Sequence, residues 1–292
     1  MKIRILSDLH LVGHNNCTHL RPVNKTKRLI KSDNDRDEGI YTLIAGDISA
    51  DRNIRKRFFE MHPNMQGAFV EGNHIVYCKD EKSLKEHIAD LRTDYSNSSM
   101  KYLENDYIEI EDYVIIGSTL WTDFNLTKNQ TWAMMNARRT MNDYNWGLWE
   151  YDEENEENSE YFPITEDGKL RNICPKDILS LNQESFNYIV DTVEKFKDRK
   201  IILLTHHCPS EQCCDVKYRG QLSNAYYASN YERFIEMNPQ IKLWVCGHCH
   251  SKKDIMIYNT RVIMNPIGYK CEKCSNAEDW NRIFEIWKKP LQ

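Results

Sequence analysis

The sequence has no long apolar run and few turn-forming residues, with 8 prolines and 11 glycines among 292 residues. No stretch approaches the roughly 18 apolar residues of a membrane helix, so we expect no membrane association. No internal repeat and no Pro- or Ser-rich linker divides the chain. We accordingly expect one domain over residues 1–292.

The sequence also lacks a secretory signal and an excess of positive charge. The opening MKIRILSDLH has no basic region, long apolar core or small-residue cleavage site. The 10 cysteines are spread through a long chain, and we interpret them as reduced thiols of a cytoplasmic protein. The net charge of -5 gives no global basic field for nucleic acid, although a local basic patch could still provide one.

Short runs rich in Ile, Val, Leu and aromatic residues recur along the chain, and helix-like segments separate several of them. The runs lie at 2–6, 40–46, 67–72, 113–118, 200–206 and 241–247. The clearest helical segments are 81–95, 131–144 and 182–197. Brief apolar runs that alternate with helices predict an α/β sheet with covered faces. Three β-like pieces after residue 254 predict an antiparallel closing portion of a sheet.

Two polar stretches interrupt this pattern. We interpret residues 12–39 as a long loop over the end of the first strand. The loop is either solvated or a phosphate-facing lip of a site, and its basic residues are Arg21, Lys25, Lys27, Arg28 and Lys31. The second stretch, at about 149–170, is acidic and of low complexity, which indicates a mobile surface insert.

Possible metal ligands follow five of the predicted strands. They are Asp8 and His10, Asp47, Asn73 with the adjacent His74, His206, and His248 with His250. Each motif alone is common, because a lone histidine is usually a structural residue. In an α/β sheet, however, the carboxyl ends of parallel strands open onto one crevice. Five motifs in this order therefore predict one polar site.

The motifs DLH, GD, GNH, H and GHxH, in this order, resemble those of the calcineurin-like metallophosphoesterases. They span residues 8–250, and GSTLWTDF and NPIGY resemble a sparsely characterised bacterial and phage branch. The resemblance implies a two-sheet α/β sandwich of four layers, with helices outside. It also implies a dinuclear metal site at the carboxyl ends of the strands and a metal-dependent phosphoesterase activity.

The same resemblance implies which residues hold two divalent ions. The first ion would be held by Asp8, His10, Asp47 and His250, and the second by the bridging Asp47 with Asn73, His206 and His248. Carboxylate, amide and imidazole donors suit borderline or hard ions; we expect manganese, with iron, zinc, nickel or magnesium as alternatives. Two such ions can clamp the attacking and leaving oxygens of a phosphoryl displacement. His74 would protonate the leaving alkoxide.

Further residues are candidates for contacting substrate. They are His207, Arg138, Arg139, Asn265 and Tyr269. The arginines would clamp a phosphate and the tyrosine would stack on a ring. His207 is equally compatible with a structural histidine that bonds a backbone carbonyl, and Tyr269 is also compatible with the core.

The stretch WVCGHCH at 244–250 supports a second interpretation. Cys246 and Cys249 form a CxxC that could pair with Cys271 and Cys274 in a zinc ribbon. We favour the histidines as ligands because a ribbon leaves the other strand-end motifs unexplained. A tight loop that points both histidines into the crevice should turn Cys249 away. The cysteines are then strand filler and surface thiols.

These features predict a cytoplasmic, dinuclear-metal phosphoesterase that hydrolyses a phosphodiester or a nucleotide by a metal-activated water. The alternatives are a phosphomonoesterase, a nuclease, or a catalytically silent metal-bound scaffold. The H-G and DRG motifs of protein serine/threonine phosphatases are missing, which disfavours a phosphoprotein substrate. The expected partner is a small phosphate ester, and the basic residues between 21 and 31 leave nucleic acid open.

Overall fold

A computed structural model describes residues 1–13, 19–30, 39–78, 80–151, 165, 168–272 and 278–286. Its strands are β1 (Lys2–Leu6), β2 (Leu11–Val12), β3 (Arg21–Pro22), β4 (Ile40–Ala45), β5 (Gly67–Val70), β6 (Met100–Tyr102), β7 (Asp106–Ile110), β8 (Tyr113–Ser118), β9 (Leu148–Glu150), β10 (Leu170–Asn172), β11 (Lys200–Thr205), β12 (Ile241–Val245), β13 (Lys253–Ile257), β14 (Thr260–Met264) and β15 (Ile283–Glu285). Its helices are α1 (Thr26–Leu29), α2 (Arg52–Glu60), α3 (Leu84–Asp94), α4 (Gln130–Thr140), α5 (Asp143–Trp146), α6 (Pro175–Lys195) and α7 (Glu232–Met237).

The longer strands form two sheets. One has five strands in the order β15-β1-β4-β5-β6, and the other has six in the order β13-β14-β12-β11-β8-β7. The inner strands of both sheets pair in parallel, whereas β15, β7 and β13 pair antiparallel at or near the edges. Parallel pairing aligns the carboxyl ends of β1, β4 and β5 in one sheet and of β11 and β12 in the other.

The two sheets share a core, and helices cover their outer faces. Ile5 and Leu43 of the first sheet pack in one fully buried cluster with Leu204 of the second. On the outer faces, Phe69 packs with residues of α2, and Leu203 with residues of α6. Strands buried on both sides need no alternation of polar residues, which explains the continuous apolar runs. The predicted four-layer α/β sandwich is confirmed.

Helix bounds differ from the predictions where capping decides them. Helix α6 begins at Pro175 rather than near residue 182, because the Asp177 carboxylate accepts from the Cys174 backbone N–H and proline suits the first turn. The predicted helix at 131–144 is two helices, α4 and α5. The sequence pattern did not predict helix α2, because its many arginines obscure its apolar face. The Asp51 side chain caps the first turn of this helix.

The tail prediction is partly wrong. Strands β13 and β14 form an antiparallel pair, but β14 also pairs in parallel with β12. Strand β15 instead joins the other sheet, antiparallel to β1. The closing strands are therefore divided between the two sheets.

The stretch 12–39 is more structured than predicted. It contains β3 and α1, and Val23 and Ile30 are fully buried in the core. Arg21 does not form a phosphate-facing lip, because its guanidinium donates to the carbonyl oxygens of Ile267 and Gly268. Residues 14–18 and 31–38, including Lys31, lie outside the described residues.

The acidic insert begins and ends on an antiparallel pair, β9 with β10. Residues 152–164, 166 and 167 lie outside the described residues. The mobility predicted for the insert concerns these residues. Among the described residues, no helix combines the length and the apolar character needed to cross a bilayer.

Candidate active site

Loops at the carboxyl ends of β1, β4, β5, β11 and β12 bring the predicted ligands together. Five of these residues have left-handed backbone conformations, with φ of 55° at Asp8, 46° at His10, 54° at Asp47, 65° at His248 and 45° at His250. Such conformations cost non-glycine residues about 1 kcal/mol or more each and cluster at functional sites. The strand ends therefore turn sharply so that these side chains converge.

Glycine is required beside two of the ligands. Gly46 has φ of 87°, and a Cβ there would overlap the His206 ring. A Cβ at Gly72 would overlap Oδ1 of Asp47. The glycines of the GD and GNH motifs thus allow Asp47 and His206 to approach the backbone closely.

One group of donors centres on Asp8. Nε2 of His250 lies 3.4 Å from Oδ1 of Asp8 and 2.9 Å from Nε2 of His10. Nδ1 of His10 lies 3.9 Å from Oδ2 of Asp47. Ligands bound at about 2.1 Å and at right angles around one ion would be about 3 Å apart, which is similar to these separations.

A second group of donors lies on the other side of Asp47. Nε2 of His206 is 3.5 Å from Oδ2 of Asp47 and 3.2 Å from Oδ1 of Asn73. Nδ1 of His206 lies 2.8 Å from the Ala45 carbonyl oxygen, so Nδ1 carries the proton. In the neutral ring, Nε2 then presents a lone pair to the amide oxygen. Two acceptors that face each other fit a cation between them.

Buried polar atoms without a partner also test whether the predicted ligands could hold metal ions. Within the described residues, Oδ2 of Asp8, Nδ1 of His10 and Nε2 of His248 are buried without a hydrogen-bond partner. Each such atom costs about 1–3 kcal/mol unless something else satisfies it. Because these atoms belong to the predicted ligand set, the residues fit a pair of divalent ions.

The electrostatics of the site also favour positive charge. Burial opposes ionisation of Asp8 and Asp47, but the nearby histidines outweigh it and lower the pKa of both carboxyls. Burial lowers the pKa of His10 to about 3 and lowers that of His248 as well. Neutral imidazole is the form that binds metal. Burial acts likewise on His250, but Asp8 and Glu272 raise its pKa to about 10.

Two carboxylates that sequence reasoning missed orient the ligands. Oδ1 of Asp143 accepts from the Asn73 side-chain amide at 2.9 Å, which turns the amide oxygen towards His206. Oε2 of Glu272 lies 2.6 Å from Nδ1 of His250, which leaves Nε2 directed at Asp8. Neither Asp143 nor Glu272 belongs to a strand-end motif, so the sequence pattern marked neither residue.

His74 lies beside these donors at the edge of the site. Its backbone N–H donates to Oδ1 of Asp47 at 3.1 Å, and its Nε2 is 3.7 Å from Oδ2 of the same residue. The Tyr269 hydroxyl lies 3.2 Å from Nε2 of His74. Both side chains line the same cleft.

The cleft has a volume of about 540 Å³. Beyond the predicted ligands Asp47, Asn73, His248 and His250, its lining is His74, Tyr77, Thr140, Met141, Asn142, Cys214, Asp215, Tyr218, Gln221, Ser223, Asn224, Tyr227, Cys249, Tyr269 and Glu272. It is therefore a polar and aromatic cleft.

Four predicted substrate residues do not line this cleft. His207 is 2% exposed and packs behind His248, with ring centroids 4.3 Å apart. Asn265 is buried, and its amide donates to the backbone oxygens of Ile5 and Asp279. Arg138 and Arg139 are in α4, but the lining begins after them at Thr140. Only Tyr269 of the predicted substrate set lies in the cleft.

The cysteines of WVCGHCH lie against other sulfurs. Contrary to the prediction, Cys249 lines the cleft beside the histidines, and its Sγ lies 3.5 Å from that of Cys208. Cys246 belongs to a buried group with Cys208 and Cys213. Cys271 is exposed, and Cys274 lies outside the described residues. The prediction that the cysteines are filler and surface thiols thus missed a cluster.

Comparisons with known proteins agree with this geometry. The calcineurin-like phosphoesterase family matches residues 1–252. An uncharacterized protein of Acanthamoeba polyphaga mimivirus is 25% identical over 286 residues, or 93% of this chain and 92% of that protein. The phosphopantetheinyl hydrolase PptH of Mycobacterium tuberculosis has a similar fold, with a TM-score of 0.66 and 14% identity over 96% of this chain and 91% of that one.

The chain therefore belongs to the calcineurin-like phosphoesterase family. It is a metal-dependent phosphoesterase, a hydrolase of a family that generally uses two metal ions. The likeness to the mycobacterial hydrolase concerns the fold and does not identify the substrate.

Proposed function

We propose that this enzyme hydrolyses a small phosphodiester, of the size and polarity of a cyclic nucleotide. The composition of the cleft carries this proposal. Among the described residues that line it there are four tyrosines but no lysine or arginine. A phosphodiester has one negative charge, whereas a phosphomonoester has about 1.5 to 2 at neutral pH. A cleft without side-chain cations beside the ion site is better matched to the diester.

The same composition disfavours a nuclease. Binding of nucleic acid depends on lysine and arginine contacts to several phosphates. The described lining instead offers Asp215 and Glu272, which repel a polyanion. Tyrosine rings and amide side chains suit a base or sugar, because they provide stacking and neutral hydrogen bonds.

The roles of the ligands follow the two donor groups. Asp8, His10 and His250 would hold the first ion, Asn73, His206 and His248 the second, and Asp47 would bridge them. The mixed oxygen and imidazole set supports manganese as the natural ion. When bound, the pair supplies charge neutralisation at phosphate oxygens and an acidified water.

His74 would act as the general acid. It is partly exposed to the cleft, with 18% of its side-chain surface accessible, although its Nε2 also lies near enough to Asp47 and His10 to share an ion with them. The Tyr269 hydroxyl contacts the same Nε2 and would have to give way for that nitrogen to reach the leaving oxygen. A general acid of this kind contributes about 10²- to 10⁴-fold to the rate.

The test is a comparison of esters with manganese-loaded protein. We expect kcat/KM for bis-p-nitrophenyl phosphate to exceed that for p-nitrophenyl phosphate by about tenfold, the effect of one uncompensated charge worth about 1.4 kcal/mol. Cyclic nucleotides should also be hydrolysed, and single-stranded DNA or RNA should not. A preference for the monoester or cleavage of RNA would contradict the proposal, and a fully metal-loaded but inactive protein would favour a scaffold.

A further inference from the structure

Three buried cysteine sulfurs, none of which lines the described cleft, meet close to the site. Cys208 follows β11, Cys213 lies in a short helical turn, and Cys246 follows β12; none of the three is exposed. Their Sγ atoms all lie within 4.8 Å of one another. Three separate segments of the chain therefore bring thiols to one point.

Two more sulfurs extend this group towards the cleft. Sγ of Cys249 lies 3.5 Å from Sγ of Cys208 and 3.6 Å from Sγ of Cys214. In a tetrahedral zinc site with Zn–S bonds of about 2.3 Å, the sulfurs are about 3.8 Å apart. The Cys208–Cys249 separation is close to this value, and the three buried sulfurs lie within 4.8 Å of one another, so the group approaches the size of such a site.

We propose that Cys208, Cys213 and Cys246 bind a structural zinc ion, with Cys249 as the fourth ligand. Sulfur donors select soft or borderline ions, whereas the oxygen and imidazole donors of the cleft do not. Burial raises the pKa of Cys208 and of Cys246, whereas hydrogen bonds from these two thiols lower the pKa of Cys213. Thiolate is the form of cysteine that binds metal.

Such an ion would join the two loops that carry three of the imidazoles. Cys208 is two residues from His206, and Cys249 lies between His248 and His250. The backbones already touch here, since the N–H of Gly247 donates to the His206 carbonyl oxygen at 2.9 Å. A closed four-cysteine site contributes folding energy and lacks an open position for substrate. Its role would therefore be to fix the loops.

X-ray absorption at the zinc edge tests the proposal directly. The full-length protein would be produced with added zinc, and Asp47→Ala would be measured beside it to reduce the contribution of ions in the cleft. In both proteins we expect one sulfur-coordinated zinc per chain, with Zn–S distances of about 2.3 Å, beside any zinc that the wild-type cleft also binds. Cys213→Ser should lose this ion and the sulfur shell. The matched control, Cys271→Ser, removes an exposed thiol and should retain both.

Other outcomes would overturn the proposal. An absence of zinc–sulfur scattering in the wild-type protein would do so without any variant, even if Cys213→Ser failed to fold. A mass two hydrogens lower under non-reducing conditions, with Cys208 linked to Cys249, would indicate a disulfide instead of a zinc site. A sulfur shell that survives Cys213→Ser but disappears in Cys271→Ser would support the ribbon.

Discussion

The loop 246–250 has two faces with different chemistry. His248 and His250 present nitrogens to the cleft, while Cys246 and Cys249 contact other sulfurs, although Cys249 also lines the cleft. The left-handed backbone at both histidines, with φ of 65° and 45°, allows neighbouring side chains to point apart. One short loop can therefore serve two donor sets that select different ions.

The two faces also differ in the free energy that it costs to bury their polar atoms without a partner. A buried imidazole nitrogen without a partner costs about 1–3 kcal/mol, and Nε2 of His248 is such an atom. Buried thiols cost little, because free cysteine behaves as a small apolar residue. The histidine side of the loop, here called the nitrogen face, therefore requires a bound ion more strongly than the cysteine side, the sulfur face. Substitutions on each side can separate the two requirements.

Asp47→Ala should disrupt ion binding at the nitrogen face more than any other substitution. The carboxylate lies between both donor groups, and its loss should release more than one ion per chain. Since each ion provides several kcal/mol of transition-state stabilisation, kcat/KM for a diester should fall by about 10⁴-fold or more.

Metal analysis and steady-state kinetics measure both effects of Asp47→Ala. Asp112→Ala is a suitable control, because that carboxylate is 81% exposed and pairs only loosely with Lys200 at 3.7 Å. Full occupancy by cleft ions in Asp47→Ala would show that Asp47 does not bridge them.

His74→Asn should damage the reaction and leave both faces of the loop intact. We expect both cleft ions to stay bound and the rate on an alkyl or ribose ester to fall by about 10² to 10⁴. The loss on bis-p-nitrophenyl phosphate should be much smaller, because p-nitrophenolate leaves well without a proton. An equal loss on the two esters, or a loss of metal, would mean that His74 binds metal or positions substrate.

Asp143→Ala should weaken the nitrogen face from outside the ligand set. Without this carboxylate, the Asn73 amide is free to turn its oxygen away from His206, and affinity for the second ion should fall by about 10- to 100-fold. Titration of the metal-free protein with manganese measures this change. Tyr77→Phe removes only the 3.2 Å hydrogen bond to the other Asp143 oxygen and should have a smaller effect. Equal affinities in Asp143→Ala and wild type would refute the positioning role.

Sequence reasoning was strongest where local pattern and function coincide. The apolar runs that become β1, β4, β5, β11 and β12 end directly in the predicted ligands, so each strand end also marks a candidate site residue. Asp143 and the sulfur cluster were missed because tertiary packing alone brings them together: Asp143 lies 70 residues from Asn73, and Cys208 lies 41 residues from Cys249. Arg138 and Arg139 lie outside the described cleft lining, because residue type does not reveal where a helix ends relative to a cleft.

Arg139→Ala should have the smallest effect and tests whether the ions alone provide positive charge to substrate. Arg139 is an exposed residue of α4 outside the described cleft lining. Its loss should change kcat/KM for a diester by less than about 0.5 kcal/mol, or roughly twofold. The measurement should include the monoester, since a phosphate clamp would affect the more highly charged substrate most. A rise in KM of about tenfold or more for the monoester would place a side-chain cation at the phosphate and weaken the argument for a diester.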